Sequence, residues 1–322
     1  EILRCLVGSE MCIRDRAYRS MEHIYSTIDS ILMQNYSPIE IVVADDCSGN
    51  FDEEGIKRYI EKYKHNNIAS VKVYENDINL GTVKNMNAAI KKSSGTILVN
   101  LSAGDMFFEC DVLKKIADEF YKTKCELLCT RRAFFRENPA IIEYYMPNDY
   151  ETDKIMQFKS REEELQALYS GMMYNMASGC AFSYRKSMME RMGLYDEQYR
   201  LWEDGPFFTR YVLTEGMLHF NYDIVSIFYR AGGVSTGGGM SEGIRQDAIR
   251  FLKDGLKVEQ LHCFTKRQMK YRLAYLRGLK HHPLIANALI VIQFPDVCVY
   301  RAIEKSKQKF YDYKKSRRLV CK

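Results

Sequence analysis

The feature of this sequence that most limits its fold is the alternation of short apolar runs with segments of helical periodicity over residues 17–135. Apolar runs, most of them rich in β-branched residues, predict buried strands at residues 39–44, 71–74, 96–101 and 126–135. Helical patterns predict helices at residues 17–35, 53–66, 82–92 and 109–122. This alternation predicts an α/β fold in which a doubly wound mixed sheet is flanked by helices.

The second half of the chain has a less regular pattern. It predicts helices at residues 161–176, 185–192 and 207–213, and strands at residues 179–184 and 217–229, the latter as one strand or two. Residues 231–243 hold six glycines and predict a flexible loop. Everything after about residue 245 has a helical and basic pattern.

The overall composition excludes several classes of protein. Hydrophobic residues make up 46% of the 322 residues and charged residues 28%, which excludes a disordered or collagenous chain. The ten cysteines include no C-x-x-C pair and no spacing typical of a zinc site. We therefore expect a reducing compartment, in which most cysteines are buried as small apolar side chains.

The charge is unevenly distributed along the chain. Residues 255–322 contain 16 Lys and Arg against 4 Asp and Glu, a net +12, whereas residues 1–254 contain 31 against 38, a net −7. A basic C-terminal region can bind an anionic membrane surface or nucleic acid, and it can also be a solvated helical face. Its longest apolar run, residues 284–294, has 11 residues, whereas a transmembrane helix needs about 20.

Residues 1–16 do not match the alternation of apolar and helical segments in the rest of the chain. Charged residues interrupt each apolar stretch, so we expect neither a secretory signal nor a buried strand there. The stretch also lacks an initiator Met and resembles translated adapter sequence of the kind found at the ends of assembled reads. We interpret residues 1–16 as a non-native opening and leave them out of the predicted fold.

Two acidic clusters directly follow predicted strands. Asp45 and Asp46 follow the strand at residues 39–44, and Asp105 follows the strand at residues 96–101. Ligands of doubly wound sheets bind outside the carboxyl ends of the strands, so these carboxylates are candidate ligand-binding groups. The alternative is structural, because Asp is also favoured in turns and at helix N-termini.

Six stretches give the chain its resemblance to a known family, at residues 30–48, 79–90, 95–105, 178–186, 193–204 and 229–236. In order and spacing they resemble the family 2 glycosyltransferases, which have the GT-A fold, a Rossmann-like architecture. The resemblance implies a glycosyltransferase domain at residues 17–245, with a nucleotide-binding half at about 17–135 and an acceptor half at about 136–245. Residues 246–322 are then a basic helical C-terminal region.

The resemblance also implies a reaction and a set of site residues. Family members transfer a sugar from a nucleotide-sugar, here expected to be UDP-linked, to an acceptor with inversion, and most use Mg²⁺ or Mn²⁺. By resemblance, Asp204 is the general base and Glu203 assists it, whereas helix capping is the structural alternative for Asp204. Asp105 is the expected metal ligand. The expected nucleotide-binding residues are Asp45, Asp46, Asn79, Gly81, Asn87, Ser102 and Arg230.

Three departures from the family pattern argue against parts of this prediction. The metal motif, usually Asp-x-Asp-Asp, reads SAGD at residues 102–105, so a single carboxylate is left. Asn85 and Met86 stand where Ala and Arg are usual. The family's first strand is missing from the pattern, and residues 1–16 stand in its place. The alternative function is therefore a non-catalytic nucleotide- or glycan-binding module, or an inactive homologue that lacks the first nucleotide-binding strand.

The expected partners follow from the resemblance. They are a nucleotide-sugar donor, a glycan or lipid-linked acceptor, and an anionic membrane surface that the C-terminal region contacts. No nucleic-acid-binding motif is present in the sequence, and we expect no nucleic acid partner. The expected location is the cytoplasm, at the inner face of the plasma membrane, and the expected pathway is assembly of a bacterial cell-surface polysaccharide.

Overall fold

The computed structural model describes residues 11–17, 21–136, 141–171, 176, 179–230, 240–278 and 283–320. The described strands are β1 (Met11–Ala17), β2 (Ile39–Asp45), β3 (Ile68–Glu75), β4 (Ile97–Ser102), β5 (Met106–Phe107), β6 (Leu127–Phe135), β7 (Tyr144–Met146), β8 (Phe182–Arg185) and β9 (His219–Arg230). The described helices are α1 (Met21–Leu32), α2 (Glu53–Tyr63), α3 (Thr82–Lys92), α4 (Val112–Thr123), α5 (Asp149–Ile155), α6 (Arg161–Ser170), α7 (Lys186–Arg191), α8 (Asp204–Thr214), α9 (Glu242–Gly255), α10 (Cys263–Gly278), α11 (Pro283–Gln293) and α12 (Pro295–Val320).

All of these strands belong to one mixed sheet. Its order is β3-β2-β1-β4-β8-β6-β9-β5, and β7 pairs with β6 beside this path. Strands β1 to β4 run parallel, whereas β8 is antiparallel to both of its neighbours, β4 and β6. The predicted α/β class, with a mixed sheet flanked by helices, is confirmed.

Strand β1 corrects one expectation about the chain's opening, that it contributes no strand. Residues Met11 to Ala17 pair in parallel with β2 on one side and with β4 on the other. The expectation that residues 1–16 contribute no strand is therefore wrong for residues 11–16. The physical reason is that β2 and β4 each present a row of backbone N–H and C=O groups, and ladder hydrogen bonds form with the backbone of any extended segment that lies between them. Residues 1–10 lie outside the described part.

The two faces of the sheet pack into two separate apolar cores. Alternate residues of β2 point to opposite faces, as the period of a strand requires. Val42 and Ala44 are buried in one core, formed with α3 and α5 to α10. Ile41 and Val43 are buried in the other, formed with α1, α2 and α4. Helices on both faces explain why every residue of β2 is buried and why its side chains are mostly apolar rather than alternating with polar ones.

Most predicted elements are present, with shifts at their ends. Helix α1 begins at Met21, not at residue 17, and helix α6 ends at Ser170, not at residue 176. The end of α6 has a local cause, because Gly171 adopts a left-handed backbone conformation with φ of 70°. Residues 217–229 form one strand rather than two. The predicted glycine-rich loop falls mostly on residues 231–239, which lie outside the described residues.

The predicted helical C-terminal region is confirmed over α9 to α12. Leu252 of α9 and Met269 of α10 are buried in the same core as the sheet, so these helices pack directly on the body. The boundary placed at residue 245 stays a prediction. Among the described helices, none is both long and apolar enough to cross a membrane.

The register of the sheet brings the two predicted acidic clusters to one edge. Ala17 of β1 lies opposite Asp45 of β2, and Arg16 of β1 lies opposite Ser102 of β4. Asp45 and Ser102 are thus separated by two strand spacings, roughly 10 Å. That width suits a ligand lying across the carboxyl end of β1.

Candidate active site

Asp45 and Asp46 lie at the carboxyl end of β2 and organise the loops around it. The carboxylate of Asp45 accepts hydrogen bonds from the backbone N–H of Ser48 at 2.7 Å and from its hydroxyl at 2.6 Å. Burial raises the pKa of Asp45, and the bonds from Ser48 oppose that shift. Asp46 accepts from the backbone N–H groups of Leu80 and Gly81, each at 2.8 Å. Asp46 therefore holds the turn that leads into α3.

This turn places Asn79 and Gly81 beside β2, and nucleotide binding by these two residues stays a prediction. Asn79 donates to the backbone carbonyl of Asp46 at 3.0 Å and accepts from the guanidinium of Arg200 at 3.1 Å. Gly81 has a φ of 83°, and a Cβ atom there would lie 2.7 Å from Cγ of Arg200. Both the backbone conformation and the close approach require glycine at this position.

Asn87 is placed differently from the other residues of this stretch. Its carboxamide is buried, donates to the carbonyl of Tyr195 at 3.0 Å and to Glu197 at 3.0 Å, and accepts from the N–H of Tyr195 at 3.0 Å. These bonds join α3 to the segment that precedes α8. Nucleotide binding by Asn87 stays a prediction, whereas its bonds in the structure position residues 195–197.

Asp105 and Arg230 come together at the carboxyl end of β4, near Ser102, and their roles in metal and nucleotide binding stay predictions. The N–H of Asp105 donates to the carbonyl of Ser102 at 2.8 Å, which closes a turn at Gly104, where φ is 99°. The carboxylate of Asp105 accepts from the backbone N–H of Arg230 at 3.1 Å. The Arg230 guanidinium lies over the ring of Phe135, 5.0 Å from its centroid. The same guanidinium donates to the carbonyl of Gly104 at 3.4 Å, one residue before the single remaining carboxylate of the motif.

The Glu203-Asp204 pair lies at the N-terminus of α8. The carboxylate of Asp204 is partly exposed and accepts from the backbone N–H of Gly205 at 2.7 Å and from that of Gly179 at 2.8 Å. One of these donors lies in the first turn of α8 and the other outside the helix, so Asp204 does more than cap the helix. Glu203 is buried, and a Cβ atom on Gly179 would lie 2.7 Å from its Oε1 atom.

Two residues that the sequence analysis did not select support this pair. Asn100 of β4 is fully buried and donates to the carbonyl of Gly179 at 3.1 Å, so the strand fixes the residue whose N–H donates to Asp204. Arg132 of β6 lies over the rings of Phe134 and Tyr229, each 5.0 Å away, and its charge interacts with Asp204. The one signal in the sequence was a pair of arginines inside an otherwise apolar strand.

The described residues do not form a complete set of protein ligands for a metal ion. Among them, no group of three or more His, Cys, Asp or Glu side chains could hold an ion. Asp105 offers one carboxylate, which is the hard oxygen ligand that Mg²⁺ and Mn²⁺ take. The site therefore fits an ion shared between Asp105 and the diphosphate oxygens of a donor, and it does not fit an ion held by protein ligands alone.

Solved structures with similar backbones give the fold of the chain. The chain resembles S. aureus TarS 1-349 in complex with UDP-GlcNAc, with a TM-score of 0.59 and 16% identity over 84% of this chain and 72% of that one. Against the longer TarS chain, the match spans 43% of that protein's length, with a TM-score of 0.57. The mannosyltransferase PcManGT from Pyrobaculum calidifontis, in complex with GDP-Man and Mn²⁺, has a TM-score of 0.54 and 14% identity over 93% of this chain and 80% of that one. The fold is that of the GT-A glycosyltransferases.

Sequence comparison then gives the family. The family model described as Glycosyl transferase family 2 matches residues 17–193, more than half of the chain, and the chain belongs to this family. It is 26% identical over 279 residues to the Escherichia coli UDP-Glc:alpha-D-GlcNAc-diphosphoundecaprenol beta-1,3-glucosyltransferase WfaP, a match that covers 79% of this chain and 96% of WfaP. The protein is a glycosyltransferase that transfers a sugar from a nucleotide-sugar.

Proposed function

We propose that this enzyme transfers a sugar from a UDP-sugar to a lipid-linked or other glycan acceptor with inversion at the anomeric carbon, and that Asp204 is its general base. The observation that carries the proposal is the position of the Asp204 carboxylate. It is partly exposed at the N-terminus of α8, and two backbone N–H groups hold it from different segments. A general base must be fixed in this way within hydrogen-bond reach of the proton that it takes.

The transfer is a single displacement in which Asp204 handles the proton. The acceptor hydroxyl donates its proton to the Asp204 carboxylate while its oxygen attacks the anomeric carbon. The bond from that carbon to the donor's diphosphate oxygen breaks, and its electron pair leaves with the nucleoside diphosphate. Attack from the face opposite the leaving group inverts the configuration. Gly179 and Gly205 orient the carboxylate, and Asn100 in turn orients Gly179.

The donor lies, in this proposal, across the carboxyl ends of β2 and β4. Asp45 and Asp46 face the nucleoside, because carboxylates accept hydrogen bonds from ribose hydroxyls and from a uracil N–H. Arg230 and Ser102 face the diphosphate, where a guanidinium forms charge-assisted hydrogen bonds. A Mg²⁺ or Mn²⁺ ion held by Asp105 and the diphosphate would supply positive charge to the leaving group.

The acceptor and the location are proposed from the relatives. WfaP, by its name, uses UDP-Glc and a diphosphoundecaprenol-linked acceptor, and it aligns with most of this chain. We therefore place this enzyme in assembly of a bacterial cell-envelope polysaccharide, at the cytoplasmic face of the plasma membrane. The basic C-terminal region, with a net charge of +12 over residues 255–322, suits contact with an anionic membrane.

A second candidate function is a nucleotide- or glycan-binding module without activity. The observation that favours it is the motif at residues 102–105, which keeps one carboxylate. A panel of UDP-sugars offered with a short polyprenyl-diphosphate-sugar acceptor separates the two functions. Release of UDP that requires the acceptor, with a product of inverted anomeric configuration by NMR, supports the transferase. UDP binding without turnover on any pair supports the binding module.

A further inference from the structure

Helix α12 is fixed to the body along one face. Glu304 is buried and forms an ion pair with Lys154 of α5, and Tyr150 of the same helix donates to it at 3.1 Å. About two and three helical turns further along, Tyr311 bonds Asp153 and Lys315 pairs with Asp149, both also on α5. These contacts set the rotation of α12 about its own axis.

The opposite face of α12 carries a line of apolar side chains that point away from the body. Val299 is 58% exposed, Ile303 47%, Phe310 57% and Tyr313 52%, and we call these four residues the α12 stripe. Their spacing, with Ser306 between Ile303 and Phe310, follows the three- and four-residue steps of one helix face. An apolar stripe of this length on an otherwise polar helix marks an interaction surface.

Lysines border the α12 stripe on both sides. By the helical period, Lys305 and Lys309 lie along one edge and Lys314 lies along the other, and all three are exposed. The ammonium group of Lys314 lies 4.6 Å from the ring centroid of Phe310. Two acidic residues of α12 are exposed, Asp296, which pairs with Arg267, and Asp312. The helix as a whole carries eight basic against three acidic residues, a net +5.

The neighbouring helix continues the exposed apolar character. On α11, Leu289 is 59% exposed, Val291 54% and Ile292 76%, although Ile290 between them packs inward on Phe294 and Val297. Helix α11 ends at Gln293, two residues before α12 begins at Pro295. Two consecutive helices thus expose apolar side chains in a region of net positive charge.

We infer that the α12 stripe is a docking surface for an anionic membrane, into which its apolar side chains insert while the flanking lysines contact lipid phosphates. Amphipathic helices with apolar residues on one face and Lys along its borders lie in this way in the headgroup region. A membrane rather than a second protein is indicated by charge complementarity, because cations border the apolar line on both sides. The inference deepens the proposed peripheral location, and it is tested without the transfer reaction.

The test is co-sedimentation of the full chain with vesicles. We expect binding to phosphatidylcholine vesicles with about 30% phosphatidylglycerol, and much weaker binding to phosphatidylcholine alone, because each Lys near an anionic surface contributes about fivefold. Replacing Ile303 and Phe310 together by Ser lowers binding at least about tenfold, since their apolar area no longer enters the bilayer. The matched control is Met33→Ser, an apolar side chain of the body that is 67% exposed, which leaves binding unchanged.

Charge reversal provides the second arm. Lys309→Glu with Lys314→Glu lowers binding to anionic vesicles by about 25-fold or more, whereas Lys122→Glu on α4 has little effect. Equal binding to both kinds of vesicle, or binding unchanged in the Ile303/Phe310 variant, overturns the inference. Light scattering without lipid provides a further check. If the wild type self-associates and the Ile303/Phe310 variant does not, the inference is overturned, because the stripe would then be an interface between copies of this chain.

Asp247 of α9 carries a second, independent inference. It is buried, and its Oδ2 atom accepts from three consecutive backbone N–H groups, those of Arg200 at 3.0 Å, Leu201 at 2.7 Å and Trp202 at 3.1 Å. One residue separates this segment from Asp204. Few arrangements fix a loop as firmly, because each bond to a charged acceptor is strong and all three converge on one atom.

We also infer that Asp247 is a positioning residue for the Glu203-Asp204 pair, an inference that rests on the proposed function. Trp202 packs edge-on against Phe251 of α9, with ring centroids 5.0 Å apart, and its indole covers Gly205 so closely that a Cβ atom there would lie 2.4 Å from the ring. Helix α9 thereby sets the position at which α8 begins. Through Asp247, the C-terminal region is part of the active-site framework.

Asp247→Ala tests this role, with Asp254→Ala on the exposed face of the same helix as control. We expect the kcat of Asp247→Ala to fall about 10- to 100-fold, because a shift of the base by about 1 Å costs that much, while its affinity for UDP in calorimetry stays within twofold of wild type. Asp247→Asn keeps an acceptor oxygen and restores most of the activity. Wild-type kcat in a folded Asp247→Ala variant, or an Asp247→Asn variant as impaired as Asp247→Ala, overturns the inference. Absence of turnover in the wild type would instead count against the proposed function.

Discussion

Glu164 of α6 makes the stability of this protein depend on pH. Its side chain is 1% exposed, and one carboxylate oxygen accepts from the backbone N–H of Leu218 at 3.0 Å. Its other oxygen, Oε1, is buried without a hydrogen-bond partner among the described residues. Burial raises the pKa of Glu164 to about 7 from the ordinary 4.5, against the smaller opposing effects of Leu218 and Arg161. The folded protein therefore holds this proton at pH values where the unfolded chain has lost it.

The sign and size of the effect follow from proton linkage. Below about pH 4.5 both states are protonated, so the fold is not penalised. As the pH rises to about 7, the folded state binds more protons than the unfolded state, and the free energy of unfolding falls. The total loss is about 3 kcal/mol, from a shift of about 2.5 pKa units at 1.36 kcal/mol each. Above pH 7 the loss is complete and constant.

Glu164→Gln removes this dependence while keeping the shape of the side chain. We expect the variant to be more stable than the wild type by about 2–3 kcal/mol at pH 8 and by less than about 1 kcal/mol at pH 5. Urea unfolding at pH 5, 6, 7 and 8 gives the free energies, and the difference between the two proteins isolates Glu164 from all other titrating groups. The matched control is Glu259→Gln, which makes the same change at an exposed position. We expect it to leave the dependence of stability on pH unchanged. A wild type and a Glu164→Gln variant with parallel stability profiles would refute the reasoning.

Three further predictions concern the active site. Gly179→Ala brings a Cβ atom to 2.7 Å from Glu203, so we expect kcat to fall about 10- to 100-fold. The control is Gly216→Ala, where nothing lies within 4 Å of the added Cβ atom and initial rates stay unchanged. A Gly179→Ala enzyme with wild-type activity would contradict this packing. Arg132→Met keeps the volume but removes the cation whose charge interacts with Asp204, the proposed base, so we expect kcat/KM to fall about tenfold or more. Equal steady-state rates would show that the charge has no role. We expect Mn²⁺ to raise the affinity for UDP in calorimetry and Asp105→Asn to cancel that gain. A Mn²⁺ effect that persists in the variant would contradict the assignment of Asp105 as a metal ligand.

The parts of the fold that could be predicted from the sequence are those with a local cause. Strand β2 is rich in Ile and Val because both of its faces are buried, and helix α3 occupies the predicted residues 82–92. Strand β1 could not be predicted from residues 11–17, because its position depends on the backbones of β2 and β4 rather than on its own side chains. A strand placed by its neighbours leaves little trace in its own composition.

The candidate site likewise contains residues that the sequence could identify and residues that it could not. Asp45 and Asp105 could be identified from the sequence, because an acidic residue that directly follows a buried strand lies at the sheet edge where ligands of such folds bind. The roles of Asn87, Arg132 and Asp247 depend on contacts with residues far away in sequence, such as the bonds from Asn87 to Tyr195. No local pattern encodes a pairing across 108 positions, so these roles emerge only when the chain is folded.

The measurement that tests the central claim most directly compares wild type with Asp204→Asn in two assays on the same preparations. The first follows acceptor-dependent UDP release from the preferred UDP-sugar, and the second measures UDP binding by calorimetry. The proposal predicts that Asp204→Asn loses at least about 10²- to 10³-fold in kcat, as expected for loss of a general base, while binding UDP as wild type does. Transfer at the wild-type rate by Asp204→Asn would contradict the assignment of Asp204 as the base.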